Sequence, residues 1–343
     1  VDGVAKLAVV GDDIMPYASK KRLGTYLYEM QYDKYDIEYA KEYFQSQFVP
    51  PETNTLQTAT RLQSYPKMGG CSGLRNGNFF GRNFDWVYND EVTVVIRVPE
   101  DTTTGRQASL GVCYAQGLTE EVLQSGHYDP LFKILPFHTV DGINQSGVYI
   151  QDNVCPPGDY GYTTSTSTNK HNRVAGMMVV RYVLDRATNA VHACDIIKND
   201  LDIYGFYSKG VQDELHYMIG DENNTFIVEI ISNKVEVIDV ADRPLMTNFH
   251  IWNTSLKDGA IDVSTVSPHA NGIERYNVLL SNRDSANSLD GMANVMKMVE
   301  YTKTYSSDPF WYSELYGGDL TKDSPIEDFK LIKQYMLSAF HYR

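Results

Sequence analysis

Short apolar runs separated by turn residues dominate the centre of this chain and predict a strand-rich fold. The run from Val92 to Val98 is mostly β-branched, which is typical of a buried strand. The polar residues Asp221–Asn224 stand between two apolar runs and predict a hairpin turn. In chain order the predicted strands are 79–86, 92–98, 139–143, 148–150, 216–220, 225–231 and 235–240.

Apolar residues at helical spacing fill the intervals between these strand groups. The predicted helices are 174–184, 190–199, 275–280 and 292–302, with further helix within 17–48 that ends before Pro50–Pro51. A pattern at 330–338 does not distinguish strand from helix. Strands, two helices, strands and two helices in this order favour a layered α+β or αββα architecture over a regular βαβ winding.

Composition and charge narrow the function classes. Of the 343 residues 42% are hydrophobic and 22% are charged, which is ordinary for a globular protein with a sizeable core. The longest apolar runs, such as 174–180, are far shorter than the roughly 20 residues that cross a bilayer. Because 44 acidic residues face 30 basic ones, giving a net charge of −14, a nucleic-acid or anionic-membrane partner is not expected.

The cysteine and histidine spacings indicate neither a disulfide scaffold nor a metal site. Four cysteines without a CxxC pair, and eight histidines without HExxH spacing, are interpreted as packing or surface residues unless one thiol is catalytic. No glycine-rich phosphate loop occurs, so no cofactor is expected. Cys113, Cys155 and Cys194 are predicted structural thiols, although Cys155 could also line a site.

The segment Gly69–Gly73, with Cys71 at its centre, is the most distinctive local feature. Arg82 follows Cys71 by 11 residues and Asp85 by 14, so a hairpin turning at Asn76–Asn78 would fold this strand back beside the cysteine. A guanidinium there would favour the thiolate, and a carboxylate would hold an adjacent amine. The alternatives are a small buried hydrophobic residue, or a cysteine–histidine pair of the papain type, whose local signature is absent.

Residues 71–86, CSGLRNGNFFGRNFDW, resemble the start of the linear-amide hydrolases that include choloylglycine (bile salt) hydrolase and penicillin V acylase. These enzymes are cysteine hydrolases of the N-terminal-nucleophile class, and acid-ceramidase-like amidases and isopenicillin N acyltransferase are more distant relatives. Further segments resemble this family in collinear order, namely 141–148 (DGINQSGV), 244–248 (PLMTN) and 274–276 (ERY). The resemblance spans residues 71 to about 285.

The resemblance implies an αββα four-layer sandwich and a set of site residues. That set is Cys71, Arg82, Asp85, Asn153, Asn248 and Arg275. Cys71 would be the nucleophile and its α-amino group the general base, oriented by Asp85, while the two asparagines would donate to the oxyanion. Nine residues separate Asn144 from Asn153, one fewer than in the family, so Asp152 is the alternative in that register.

A leader of 70 residues precedes Cys71. By resemblance to relatives that cleave themselves at a Gly–Cys bond, we expect residues 1–70 to be a helical pro-segment, removed or cleaved at Gly70–Cys71, and residues 71–343 to be the catalytic domain. Until that bond is cut, the nitrogen of Cys71 is an amide and cannot act as a base. The tyrosine-rich part, 26–43, is a candidate cover for the site. Val1 in place of Met, together with this leader, favours a periplasmic or secreted bacterial enzyme over a cytoplasmic one.

The expected activity is hydrolysis of a linear amide through a thioester on Cys71. The acyl half would be bulky and apolar, such as a bile acid, a fatty acyl chain or a phenoxyacetyl group. The alternatives are an acyltransferase of the isopenicillin N type, an acid-ceramidase-like N-acyl amidase, and a catalytically silent binding protein of the same fold. The expected partner is a small N-acyl amide, and homo-oligomers are common in the family.

Overall fold

Two β-sheets of unequal size carry most of the secondary structure in the computed structural model of the chain. The structure describes residues 5–6, 18–24, 27–47, 71–84, 91–119, 121–122, 130–155, 172–204, 206–208, 211–231, 234–252, 254, 256–257, 260–261, 271–299 and 336–341. Gly70 and Asp85 lie outside these residues.

The large sheet has eleven strands and is antiparallel except for one parallel pair, formed by Leu27–Tyr32 and Glu91–Val98. Its strands are β1 (Ala5–Lys6), β2 (Ala18–Gly24), β3 (Leu27–Tyr32), β6 (Glu91–Val98), β7 (Ser109–Thr119), β8 (Thr139–Asn144), β9 (Tyr149–Cys155), β12 (Phe206–Ser208), β13 (Val211–Gly220), β14 (Thr225–Ile231) and β15 (Lys234–Asp239). They lie in the order β1-β2-β3-β6-β7-β8-β9-β13-β14-β15, with β12 paired to β13.

The small sheet has four strands in the order β16-β4-β5-β19. These are β4 (Ser72–Asn76), β5 (Phe79–Phe84), β16 (Leu245–Met246) and β19 (Met336–His341). Two further pairs of strands complete the described sheets, β10 (Asn172–Ala175) with β11 (Leu201–Tyr204) and β17 (Leu256–Lys257) with β18 (Ala260–Ile261). The C-terminal segment that the sequence left unassigned therefore contains a strand.

The helices are α1 (Ile37–Gln47), α2 (Pro130–Ile134), α3 (Val179–Arg186), α4 (Ala190–Asp195), α5 (Asn271–Asn282) and α6 (Leu289–Met298), with 3-10 turns at Leu135–His138, Gly176–Met178 and Arg283–Ser285 and a π turn at Ile196–Asp200. Asn189 caps α4 by accepting from the amide of His192, and Ser288 caps α6 by accepting from that of Gly291. The helix predicted from residue 174 begins only at Val179, because 172–175 pair as a strand with β11.

Four layers result from the packing of helices on the outer faces of the two stacked sheets. Helix α3 covers the large sheet so closely that a Cβ on Gly142 would meet Leu184. On the other face of that sheet, Tyr149 stacks on Phe80 of the small sheet, with ring centroids 4.5 Å apart. A Cβ on Gly81 would meet Met292 of α6, which covers the small sheet. The predicted α+β class and αββα layer order are confirmed.

The leader contributes to the large sheet, and the prediction that it is helical is wrong for its described residues before α1. Strand β3 buries Tyr28, Met30 and Tyr32, while the residues between them are less buried. This alternation has the period of a strand, and the parallel pairing with β6 supplies the backbone partners. Helix α1 confirms the helical part of the prediction and begins after Asp36, whose carboxylate accepts from two backbone amides.

The outer core is the apolar layer between the large sheet and helices α3 and α4. Its buried members include Ile150, Val180, Leu184, Tyr217 and Ile219. Ala40 and Phe44 of α1 belong to the same cluster. Helix α1 therefore packs on the face of the large sheet opposite the small sheet, and residues 37–47 do not cover the space between the sheets where Cys71 lies.

Candidate active site

The β4–β5 hairpin places Cys71 beside Arg82, as its sequence predicts. The turn contains Gly77 at φ +57°, a left-handed conformation that glycine adopts at little cost. Because Gly73 pairs with Arg82, Cys71 and Phe84 project on the same side of the small sheet as Arg82. That side faces the large sheet.

An apolar group surrounds Cys71 between the two sheets. Cys71 is completely buried and clusters with Phe84, Tyr114 and Val140, which we call the inter-sheet cluster. Tyr114 and Val140 come from β7 and β8 of the large sheet, so the cysteine lies where the two sheets meet. A thiol in these surroundings has apolar walls on several sides.

Gly73 permits the close approach of the sheets next to this cysteine. A Cβ at this position would overlap the side-chain amide of Gln151 on β9. Because Gln151 is itself completely buried, its side chain has little room to move away from that overlap. The glycine after Cys71-Ser72 therefore has a packing role in addition to any role in chain flexibility.

Arg82 is completely buried between two aspartates of the large sheet. Its Nη2 donates to the backbone carbonyl and, at 3.1 Å, to the carboxylate of Asp152, and its Nη1 lies 3.7 Å from Oδ2 of Asp141. Burial lowers the pKa of Arg82, but the charges of Asp152, Asp141 and Cys71 outweigh burial and raise it. The guanidinium therefore stays charged beside the sulfur.

Asp152, the alternative to Asn153 in the sequence register, is the residue that contacts Arg82. Burial raises the pKa of its carboxyl to about 7, since the neighbouring Asp141 adds to the effect and Arg82 only partly offsets it. Asn153 instead donates to the carbonyl of Met246 and accepts from Gln151, each at 3.4 Å. In the structure Asn153 thus contacts the strand that precedes Asn248.

Arg275 on α5 links the nucleophile candidate to the oxyanion candidate. Its Nη1 donates to the carbonyl oxygen of Cys71 and, at 2.7 Å, to the hydroxyl of Ser72, and its Nη2 donates to Oδ1 of Asn248 at 2.6 Å. Arg275 is only 1% exposed. One rigid guanidinium therefore fixes the backbone of Cys71 relative to the side chain of Asn248.

The contacts of Asn248 fix which way its amide points. An arginine can only donate, so the atom that contacts Arg275 must be the amide oxygen. The amide nitrogen then donates to the carbonyl of Val154 at 2.6 Å. An amide nitrogen carries two hydrogens, and the second is the one that could donate to a developing oxyanion.

Of the predicted site residues, the structure brings together Cys71, Arg82, Asn248 and Arg275 and places Asn153 on the adjoining strand. Asp85 and the Gly70–Cys71 bond lie outside the described residues. The sequence analysis assigned no role to Glu229 and His216, which are completely buried on neighbouring strands. A single carboxylate inside the apolar run TFIVEII was the available signal, because buried carboxylates require partners.

The remaining cysteines differ from Cys71 in their surroundings. None of the four forms a disulfide, and burial raises the pKa of Cys113 well above its usual range and that of Cys194 to about 12. Both therefore stay protonated and unreactive at neutral pH. Among the residues that the structure describes there is no group of three His, Cys, Asp or Glu side chains suited to a metal ion.

Within the described parts of the chain, no helix has both the length and the apolar character needed to span a bilayer.

Comparison with known proteins gives structural matches but no sequence match. No family model matches the chain, and no curated protein matches it significantly. The fold resembles a mutant conjugated bile acid hydrolase from Clostridium perfringens at 16% identity and a TM-score of 0.45, covering 66% of this chain and 78% of the other.

Two further matches are penicillin V acylase from Agrobacterium tumefaciens and the Caenorhabditis elegans ortholog of N-acylethanolamine-hydrolyzing acid amidase. The first has 15% identity and a TM-score of 0.43, with coverage of 68% and 73%. The second has 12% identity and a TM-score of 0.38, with coverage of 66% and 84%.

Proposed function

We propose that this protein is an amide hydrolase that uses Cys71 as an N-terminal nucleophile on linear N-acyl amides. The observation that carries the proposal is the contact of Arg275 with both the Cys71 backbone and the Asn248 side chain. A nucleophile and an oxyanion donor held by one guanidinium form the core of an acyl-transfer site. The charge of Arg82 on the sulfur side adds the means to stabilise a thiolate.

The reaction would begin once the Gly70–Cys71 bond is cut. The freed α-amino group, with a reference pKa of about 7.7–8.0, would take the thiol proton, and Asp85 would orient that amine. The sulfur would bond to the amide carbon, and the carbonyl oxygen would become an oxyanion that accepts from Asn248. Asn153, or Asp152 in its protonated form, is the candidate for a second donor.

Collapse of the tetrahedral intermediate would break the C–N bond. The departing amine would receive the proton held by the α-ammonium group, which leaves a thioester on Cys71. The α-amino group of Cys71 would then take a proton from water, whose oxygen attacks the thioester carbon. The C–S bond breaks to release the carboxylic acid, and the α-ammonium group returns its proton to the sulfur. No cofactor or metal is needed for this sequence of steps.

The inter-sheet cluster supports an apolar acyl group as the specificity element. Phe84, Tyr114 and Val140 pack around Cys71, so an acyl chain bonded to its sulfur would emerge among apolar side chains. Bile acid, fatty acyl and phenoxyacetyl groups share this apolar character. A small polar acyl group would leave these side chains without a partner.

The position of the leader supports cleavage without dissociation. Strand β3 lies inside the large sheet, and Phe44 of α1 is 3% exposed in the outer core. Loss of residues 27–47 would expose the edge of β6 and a substantial apolar area. We therefore infer that the mature enzyme keeps the leader as a separate, tightly bound chain.

Denaturing mass spectrometry of the wild type beside Cys71→Ala tests the mechanism. We expect two chains divided at 70/71 in the wild type and one intact chain in the variant. The same samples are assayed with 7-amino-4-methylcoumarin amides of a bile acid, lauric acid and phenoxyacetic acid, and only the wild type should release coumarin. An intact wild-type chain that is fully active, or a variant that retains turnover, would contradict the proposal.

A further inference from the structure

We propose that Glu229, together with His216, is the positioning element that holds Asn248 in place for oxyanion stabilisation. This inference rests on the proposed function, since it assigns a role to residues that support the proposed oxyanion donor. Neither residue lies in the segments that resemble known amide hydrolases, and neither is a nucleophile or base in the reaction above. Their role is to fix the backbone on both sides of Asn248.

Glu229 is a buried carboxylate whose two oxygens both contact the segment after Asn248. Oε1 accepts from the backbone amide of Ile251 at 2.6 Å, and Oε2 accepts from that of Trp252 at 2.9 Å. His216 and His250 approach the same carboxylate, at 3.1 Å and 3.6 Å. One side chain on β14 therefore binds two consecutive amides of a segment without regular secondary structure.

The other ring nitrogen of His216 contacts the residue before Asn248. Its Nε2 lies 2.7 Å from the carbonyl oxygen of Thr247, which can only accept, so this nitrogen carries a hydrogen. Its Nδ1 faces Oε1 of Glu229. Since both nitrogens face acceptors, the imidazolium form satisfies both contacts and makes an ion pair with the carboxylate.

The charge on Glu229 is maintained by these contacts. Burial raises the pKa of this carboxyl, but the hydrogen bonds and charges of His216 and His250 outweigh burial and bring the pKa down to about 2. The carboxylate is therefore ionised throughout the physiological range. Hydrogen bonds from backbone amides to an ionised acceptor are about twice as strong as neutral ones.

Asn248 thus lies between two fixed points of the backbone. His216 holds the carbonyl of Thr247, whose hydroxyl also donates to the carbonyl of Gly272 at 2.8 Å, and Gly272 belongs to α5, the helix of Arg275. Glu229 holds the amides at positions 251 and 252. Arg275 fixes the side chain while the Glu229–His216 pair fixes the main chain, and displacement of a catalytic group by about 1 Å can cost 100-fold in rate.

The test is a double-mutant cycle between Glu229→Gln and Asn248→Ala, with Thr225→Val as the matched control. Thr225 is buried on the same strand, four residues before Glu229, and its hydroxyl accepts from Arg75. The substrate is whichever coumarin amide of the three acyl groups the wild type cleaves fastest. Hydrogen exchange at the amides of Ile251 and Trp252 is measured in parallel, because it reports on the contacts without depending on catalysis.

We expect E229Q to lower kcat by about 10–100-fold with KM changed less than about threefold, and N248A by about 10²–10³-fold. The double variant should be no slower than N248A alone, because Glu229 acts only through Asn248. Exchange at 251 and 252 should accelerate in E229Q. T225V should retain its kcat and its exchange rates at those two amides.

Effects of E229Q and N248A that multiply in the double variant, or an unchanged kcat in E229Q, would overturn the inference. If E229Q does not fold, His216→Gln replaces it in the cycle, since glutamine keeps a donor for Thr247 but removes the ion pair. A wild type that cleaves none of the three amides refutes the proposed function itself and this inference with it. By contrast, a wild type that cleaves an amide and an E229Q variant with the same kcat would refute only this inference.

Discussion

Two arginines, Arg181 and Arg82, are both completely buried beside aspartates, but their nitrogens are used differently. Arg181 lies on α3 at the outer core. Its nitrogens contact Ser109 at 2.7 Å and Thr139, Asp185 and the carbonyl of Pro136 at 3.3 Å each. All three nitrogens have acceptors, and the side chain joins α3 to β7 and β8.

Arg82 has the same charge and burial but fewer hydrogen bonds. Its Nη2 contacts Asp152, whereas its Nε and Nη1 make no hydrogen bond to any residue that the structure describes. Buried polar groups are usually satisfied, and unsatisfied donors beside a thiol agree with the proposed role of Arg82 in the site. The comparison teaches that two buried, ion-paired arginines can differ in how many of their donors have partners among the described residues.

The substitution Arg82→Lys is expected to have the largest effect on activity. Arg82→Lys keeps the charge but loses the planar fork that contacts Asp152 and faces Asp141, so the charge moves relative to the sulfur. We expect kcat/KM for the coumarin amides to fall by about 100-fold, with the thermal midpoint changed by a few degrees at most. Wild-type kcat/KM in a folded variant would show that Arg82 is structural, as Arg181 is.

Lysine at position 181 is the matched change in the outer core. Arg181→Lys cannot reach Ser109, Thr139 and Asp185 together, so about two hydrogen bonds are lost and the free energy of unfolding should drop by about 1–3 kcal/mol. Urea denaturation measures that loss. The kcat per folded molecule should equal that of the wild type, and a reduced kcat would mean that the two arginines do not differ in role.

A third prediction concerns the pH dependence of stability near Arg82. In the unfolded protein the carboxyl of Asp152 has its ordinary pKa of 3.8, whereas in the folded protein its pKa is about 7. Between these values the folded state binds more protons, so this group lowers the free energy of unfolding as the pH rises, by at most about 1.4 kcal/mol per pH unit.

Asp152→Asn should remove that decline. The test measures the urea midpoints of wild type and variant at several pH values between 3.8 and about 7. The two midpoints should be most similar at the acidic end of this range and differ most at neutral pH. Parallel curves would mean that Asp152 is ionised normally in the folded protein. In that case the carboxylate would belong to a fully formed ion pair of the kind that Arg181 makes with Asp185.

Sequence reasoning succeeded where a feature is local. The two-residue turn Gly77–Asn78 determines which residues of β4 and β5 pair, so the proximity of Arg82 to Cys71 followed from counting residues. The same holds for the hairpin that joins β13 and β14, whose predicted turn is present. The spaced motifs also pointed to Asn248 and Arg275, although nothing in their spacing shows that these two side chains touch.

Sequence reasoning failed where distant segments compete for the same surface. The leader pattern by itself fits a helix. In the folded protein β3 pairs with β6, and the alternating burial of Tyr28, Met30 and Tyr32 favours a strand. Asp152 and Asn153 are adjacent in sequence, so the choice between them depends on how β9 packs against the small sheet. Glu229 was missed because its partners lie in other segments of the chain.

The sequence by itself determined the residue types, the hairpin that aligns Cys71 with Arg82, and the alternation of strand and helix groups that defines the layers. Turn geometry and hydrophobic period act over a few residues, so they can be read from neighbours in the chain. The tertiary structure decided which buried arginine has donors without a hydrogen-bond partner in the described part of the chain, which of two adjacent residues meets Arg82, and which carboxylate contacts the backbone after Asn248. These outcomes depend on desolvation and on hydrogen-bond partners from distant segments, which only the packed sheets bring together.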